Sequence, residues 1–123
     1  GAPMAFDRTR PGTICAALPG AMRDHPFGPE PEAWKVGGRI FALISPGGAG
    51  VVLKCADAEQ AAFLIEIGRA RTAPYLTRGG WILIPWEVLD AGEMAAGDLA
   101  DRLAVSHRTV AASLPQRLRL DRA

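Results

Sequence analysis

Two apolar runs broken by a pair of glycines constrain this chain more than any other feature. Ala33-Trp34-Lys35-Val36 and Arg39-Ile40-Phe41-Ala42-Leu43-Ile44 flank Gly37-Gly38. Tight two-residue turns need positive φ, which glycine adopts freely, so the pattern predicts an antiparallel hairpin. Ser45-Pro46-Gly47-Gly48-Ala49-Gly50 makes a looser turn, and Val51-Val52-Leu53-Lys54-Cys55 supplies a third strand. Three strands joined by short turns imply an antiparallel meander.

Helices are expected on either side of it. The first runs from Pro11 to Leu18, with proline suited to its first turn, Ile14 and Leu18 sharing a face, and Pro19-Gly20 stopping it. Met22 to Pro31 carries three prolines and a glycine and reads as a rigid extended loop. Asp57 is a good N-cap, with Gln60 completing a capping-box-like pair. Ala61, Leu64, Ile65 and Gly68 trace the apolar face of that helix, widened by Phe63 and Ile67, and Gly68 suits its end. A polar loop from Arg69 to Gly80 leads to a strand at Trp81-Ile82-Leu83-Ile84, closed by Pro85. The last helix spans about Ala96 to Leu114, with Leu99, Leu103, Val110 and Leu114 as its stripe and Pro115 as its stop.

The expected order is therefore helix, three strands, helix, one or two strands, helix: an α+β domain with helices packed on one antiparallel sheet. At 123 residues the chain fits one core, taken as 4–115, and 49% apolar content suits a globular protein. Residues 1–3 before Met4 read as a cloning remnant, and 116–123 as an exposed basic tail. No uninterrupted apolar run exceeds five residues, as in Ile40 to Ile44, so no membrane segment is expected. Two cysteines, Cys15 and Cys55, without a visible signal peptide fit a reducing cytoplasm.

The net charge is only +1. Of 14 basic residues Lys35 and Lys54 alone are lysine, leaving 12 arginines. The arginine excess has two readings: recognition of phosphate or carboxylate by the guanidinium fork, or the codon usage of a GC-rich bacterial genome that also favours alanine and glycine.

Several short stretches, in order, resemble the MmcQ/YjbR family. They are Cys15-Ala16-Ala17-Leu18-Pro19-Gly20, Pro26-Phe27-Gly28, Lys35-Val36-Gly37-Gly38-Arg39-Ile40-Phe41-Ala42 and Leu53-Lys54-Cys55. Ala73-Pro74-Tyr75-Leu76 through Trp81, and Ser106-His107-Arg108-Thr109-Val110 through Leu114-Pro115, complete the set. The resemblance implies a two-layer α+β fold, often called CyaY-like, and the DNA-binding label that members commonly carry by fold analogy. Members often have tyrosine where this chain has His107, and lysine where the nearest base before Trp81 is Arg78.

The candidate binding surface is basic with aromatics interleaved. Lys35 and Lys54 are placed on a sheet face, Arg39 at the hairpin, and Arg69, Arg71 and Arg78 around the loop before Trp81. With Tyr75 and Trp81 they would bind a phosphate backbone and stack bases. Arg108, Arg117, Arg119 and Arg122 give the C-terminal segment a basic bias against the single acid Asp121. The plain alternative is a solvated surface balanced by Glu59, Glu66, Glu87 and Glu93.

No catalytic or metal constellation emerges. Cys15, His25, Cys55 and His107 lack the short spacings of zinc sites, and no acidic run in the first helix supports iron. Ser106 and His107 are adjacent, so on a helix they diverge by about 100 degrees. The Gly47–Gly50 run precedes a strand, whereas phosphate loops open a helix. The expectation is a non-enzymatic protein without cofactors that binds DNA weakly through this basic sheet-and-loop surface. The alternatives are a protein-interaction module or homodimer exposing Trp34, Trp81 or Trp86, and a small-ligand binder beneath Tyr75 and Trp81.

Overall fold

The computed structural model describes residues 5–76 and 78–118. Along the chain come α1 (Arg10–Ala16), β1 (Met22–Asp24), β2 (Glu32–Val36), β3 (Arg39–Ile44) and β4 (Gly50–Lys54). They are followed by α2 (Ala58–Glu66), β5 (Arg71–Thr72), β6 (Trp81–Pro85), α3 (Trp86–Asp90), α4 (Ala96–Ala112) and a 3₁₀ turn at Gln116–Leu118. The strands form one antiparallel sheet in the order β1-β2-β3-β4-β6-β5. The α+β class and the antiparallel sheet are as the sequence predicts.

The hairpin sits where the glycines place it. Val36 pairs with Arg39 across a loop of Gly37 and Gly38, whose φ angles are 57° and 81°. Beyond it the register slips: Trp34 faces Ala42 but Lys35 faces Ile40, so Phe41 is the extra residue of a bulge. The bulge turns two consecutive side chains, Phe41 and Ala42, into the same core.

That core lies between the sheet and the helices. Val51 and Leu53 of β4 and Ile82 and Ile84 of β6 point to it, as period-two alternation requires, and meet Leu99, Leu103 and Val110 of α4. Asp57 caps α2 as expected, its Oδ1 accepting from the Gln60 amide at 2.8 Å, and Gly68 ends the segment at φ 77°.

Four expectations need correction. Met22–Asp24 is a strand, not loop; it lies at the sheet edge with all three residues exposed, held by pairing to β2. Arg71–Thr72 forms a second short edge strand inside the expected loop. A single helical turn, α3, follows Pro85 and buries Trp86, Val88 and Leu89. On α2 only Ala61 and Leu64 are buried; Phe63, Ile65 and Ile67 are exposed, because a nine-residue helix against the narrow end of the sheet has one contact line, not a broad face.

Among the described residues no helix packs on the reverse face of the sheet. Val52, Leu83 and Ala73 are buried there, with Leu43, Leu76 and Trp81 packed around them. The loop after β5 thus covers the sheet with Ala73 and Leu76 in place of a second helical layer. No helix among the described residues is long and apolar enough to cross a membrane.

Candidate nucleic-acid interface

The side of the sheet opposite the helices gathers part of the basic and aromatic set. Lys54 ends β4 and Trp81 begins β6, and the two are directly opposed in the antiparallel register. Opposed residues share a face, and the Lys54 ammonium lies 5.9 Å from the centre of the Trp81 ring. The loop before Trp81 closes against the same end of β4. The Gly80 carbonyl accepts from the Cys55 amide at 2.8 Å. Gly79 and Gly80 have φ of 73° and 88°; a Cβ on Gly80 would stand 3.0 Å from the Asp57 carbonyl oxygen, and one on Gly79 3.3 Å from Lys54 Nζ. Glycine is required here both by conformation and by close approach.

Tyr75 crowns that loop. Its side chain is 100% exposed, on a backbone with φ of 65° that non-glycine residues seldom adopt. Its neighbour Leu76 packs on the sheet, so the tyrosine is held outward by an anchored segment. Arg78 follows, exposed and without an ion pair among the described residues.

The other predicted cations are differently placed. Lys35 donates to Asp24 at 2.9 Å. Asp24 is correspondingly held below the ordinary carboxylate value, first by that hydrogen bond and then by the His25 amide. Arg69 is bound to Glu93 at 2.8 Å and Arg71 to Glu87 at 3.0 Å, so two of the four predicted balancing acids neutralise their partners directly. Arg39 donates to the carbonyl and hydroxyl of Ser113 at the end of α4, and Arg108 is exposed on α4 itself. The structure therefore brings together Lys54, Trp81 and the loop bearing Tyr75 and Arg78. It pairs Lys35, Arg69 and Arg71 with acids and leaves Arg39 and Arg108 on the helical layer. Arg119 and Arg122 lie outside the described residues.

The nucleophile candidates carry structural duties. Ser106 donates to the Phe41 carbonyl at 2.6 Å and accepts from the Lys54 amide at 2.8 Å, which pins α4 to the bulge and to β4. His107 is buried, with Nε2 2.6 Å from the Pro19 carbonyl oxygen and its ring edge-on to Phe41. Both cysteines are buried and free; burial above all pushes Cys15 up to about 12. Among the described residues no three His, Cys, Asp or Glu side chains converge as a metal set would.

One residue the sequence reading passed over is Arg102. Its Nε is buried without a hydrogen-bond partner, and the residue lines a cleft of about 240 Å³ between β4, α2 and α4. Its spacing from Asp98, four residues along α4, suggests an ordinary surface pair and so conceals it.

Comparison with known proteins follows the same outline. The family model described as YjbR matches residues 16–109. Among solved structures, Deinococcus radiodurans protein DR2400, which carries a DUF419 domain, superposes with a TM-score of 0.74 at 22% identity, covering 87% of this chain and 80% of its own. At that identity the likeness speaks for the fold. No curated protein matches the chain.

Proposed function

The chain belongs to the YjbR family, and from that premise we propose that it is a non-catalytic protein that binds DNA weakly through Lys54, Trp81 and the loop carrying Tyr75 and Arg78. The observation behind this reading is the fully exposed Tyr75, held on a left-handed backbone in the loop that leads to the ammonium-capped Trp81. An aromatic ring kept wholly in water stabilises nothing in the fold, whereas ring faces beside cations suit bases and phosphates. The paired cations reduce the field over the rest of the surface. An exposed ion pair is worth only about 0–1 kcal/mol, so Arg71 can exchange Glu87 for a phosphate but gains little by doing so.

The reading predicts weak, sequence-tolerant binding with a shallow salt slope. Two phosphate contacts imply about a tenfold loss of affinity between about 50 and 200 mM salt. Fluorescence anisotropy with a labelled mixed-sequence duplex tests it. The double variant Lys54→Ala, Arg78→Ala should lose most of the signal, Tyr75→Ala a part, and Arg71→Ala little. Absence of binding by the unaltered chain at the lower salt would sink the proposal.

A protein partner is the second reading, favoured by one observation. Phe63 and Ile67 on α2 are 57% and 42% exposed, while Trp34 and Trp86, expected to serve such a surface, are buried. Sedimentation of the chain and of a Phe63→Ser variant would reveal self-association through that helix.

A further inference from the structure

The cleft between β4, α2 and α4 is lined by Cys55, Gln60, Asp98, Asp101 and Arg102, with Leu53, Lys54 and Val105 completing it. Arg102 is its central oddity. An aspartate four residues before an arginine on a helix is well placed for an ion pair, yet Asp98 and Arg102 do not form one. The Arg102 side chain is half-buried with its Nε out of contact with water and without an acceptor. It is near enough to Cys55 for its charge to act on that thiol, where it opposes the larger upward effect of burial. Leaving a guanidinium N–H desolvated and unpartnered is costly, and because the rest of the Arg102 guanidinium takes no acceptor among the described residues either, its outer nitrogens at the cleft are open to an oxyanion.

The same cleft carries the opposite charge. Asp98 and Asp101 are exposed, line it, and have no cationic partner within 4.0 Å among the described residues. A phosphate dianion placed against Arg102 would face two carboxylates. A molecule with one carboxylate and one ammonium satisfies both sets.

We propose that this cleft binds a small zwitterion of the α-amino-acid class, with its carboxylate on Arg102 and Gln60 and its ammonium toward Asp98 and Asp101. The volume suits a free amino acid and excludes a folded partner. The Gln60 amide side chain supplies a neutral donor that a carboxylate accepts, while its backbone N–H remains engaged by Asp57. This site is separate from the DNA-binding reading. Lys54 borders both surfaces, so the test variants are made at Arg102 and at the aspartates.

The experiment is amide-resolved NMR titration of the whole chain with each proteinogenic L-amino acid at about 10 mM, a level that largely fills even a millimolar site. Saturable shifts centred on Cys55, Gln60 and Arg102 are expected with at least one amino acid. Its N-acetyl and its amide derivatives should each bind about tenfold or more weakly, since each loses one charge-assisted contact. Arg102→Gln should abolish the shifts, and the double variant Asp98→Asn, Asp101→Asn, altered only at exposed positions, should weaken them about tenfold. Duplex binding by both variants should stay as in the unaltered chain. The proposal is overturned if no amino acid shifts these resonances, if Arg102→Gln binds as well as the unaltered chain, or if the N-acetyl derivative binds as tightly as its parent.

Discussion

His107 and Pro19 meet at 2.6 Å, imidazole Nε2 to carbonyl oxygen, so the ring nitrogen facing Pro19 carries the proton and ties α4 to the stop of α1. The same ring stands edge-on to Phe41, 5.1 Å between centres. Replacing His107 with alanine should cost about 2–4 kcal/mol, combining a lost hydrogen bond, a stranded carbonyl and a cavity. His107→Phe keeps most of the packing and should cost about half of that. Urea midpoints at constant slope measure both; equal values for the two variants would mean the ring's packing contributes nothing, and a His107→Phe value near zero would mean the hydrogen bond contributes nothing.

Ser106 answers two backbone groups at once, the Phe41 carbonyl and the Lys54 amide. Its removal leaves both without their partner beneath α4. Ser106→Ala should therefore destabilise by about 1–3 kcal/mol despite the loss of a single atom. Hydrogen exchange at Lys54 offers a local check: that amide should lose protection more than its strand neighbours.

Two glycines in the sheet turns should respond very differently to an added methyl. At Gly50, φ 153°, a Cβ would stand 2.1 Å from the Ile84 carbonyl oxygen, which is backbone and cannot swing aside. Gly50→Ala should cost at least about 3 kcal/mol or shift the β4–β6 register. At Gly38, φ 81°, nothing lies within 4 Å. There Gly38→Ala meets only the left-handed backbone penalty, about 1 kcal/mol. Thermal melts of the pair separate the two mechanisms.

Alkaline pH should weaken the fold through Cys15. Burial lifts its value from 9.0 to about 12 in the folded state, so between those limits the unfolded chain releases a proton that the folded one keeps. Stability from this group is complete below pH 9.0 and falls as pH rises toward about 12, by at most about 1.4 kcal/mol per unit. Cys15→Ala should flatten that part of the stability profile. An unchanged slope would show that other groups govern it.

Much of the frame can be read from residue patterns because its signals are local. Gly37-Gly38 with flanking apolar runs encodes the hairpin, and Asp57 with Gln60 encodes the start of α2, within a few positions each. β1 carries no such signal: Met22, Arg23 and Asp24 show no alternation between buried and exposed, and only β2 makes them a strand. The candidate surface was half legible. Lys54 beside Trp81 follows from strand alternation once the sheet order is known. The neutralising pairs Lys35–Asp24, Arg71–Glu87 and Arg69–Glu93 join residues 11, 16 and 24 apart, distances over which composition reports only a total charge.

The sheet is bounded by its two shortest strands, three residues of β1 at one margin and two of β5 at the other, while the inner strands have five or six. A foreign strand arriving at either margin finds only a few free amides and carbonyls to template on. The brevity of these strands therefore guards the chain against edge-to-edge polymerisation, leaving its hydrophobic interior no continuous route into an aggregate.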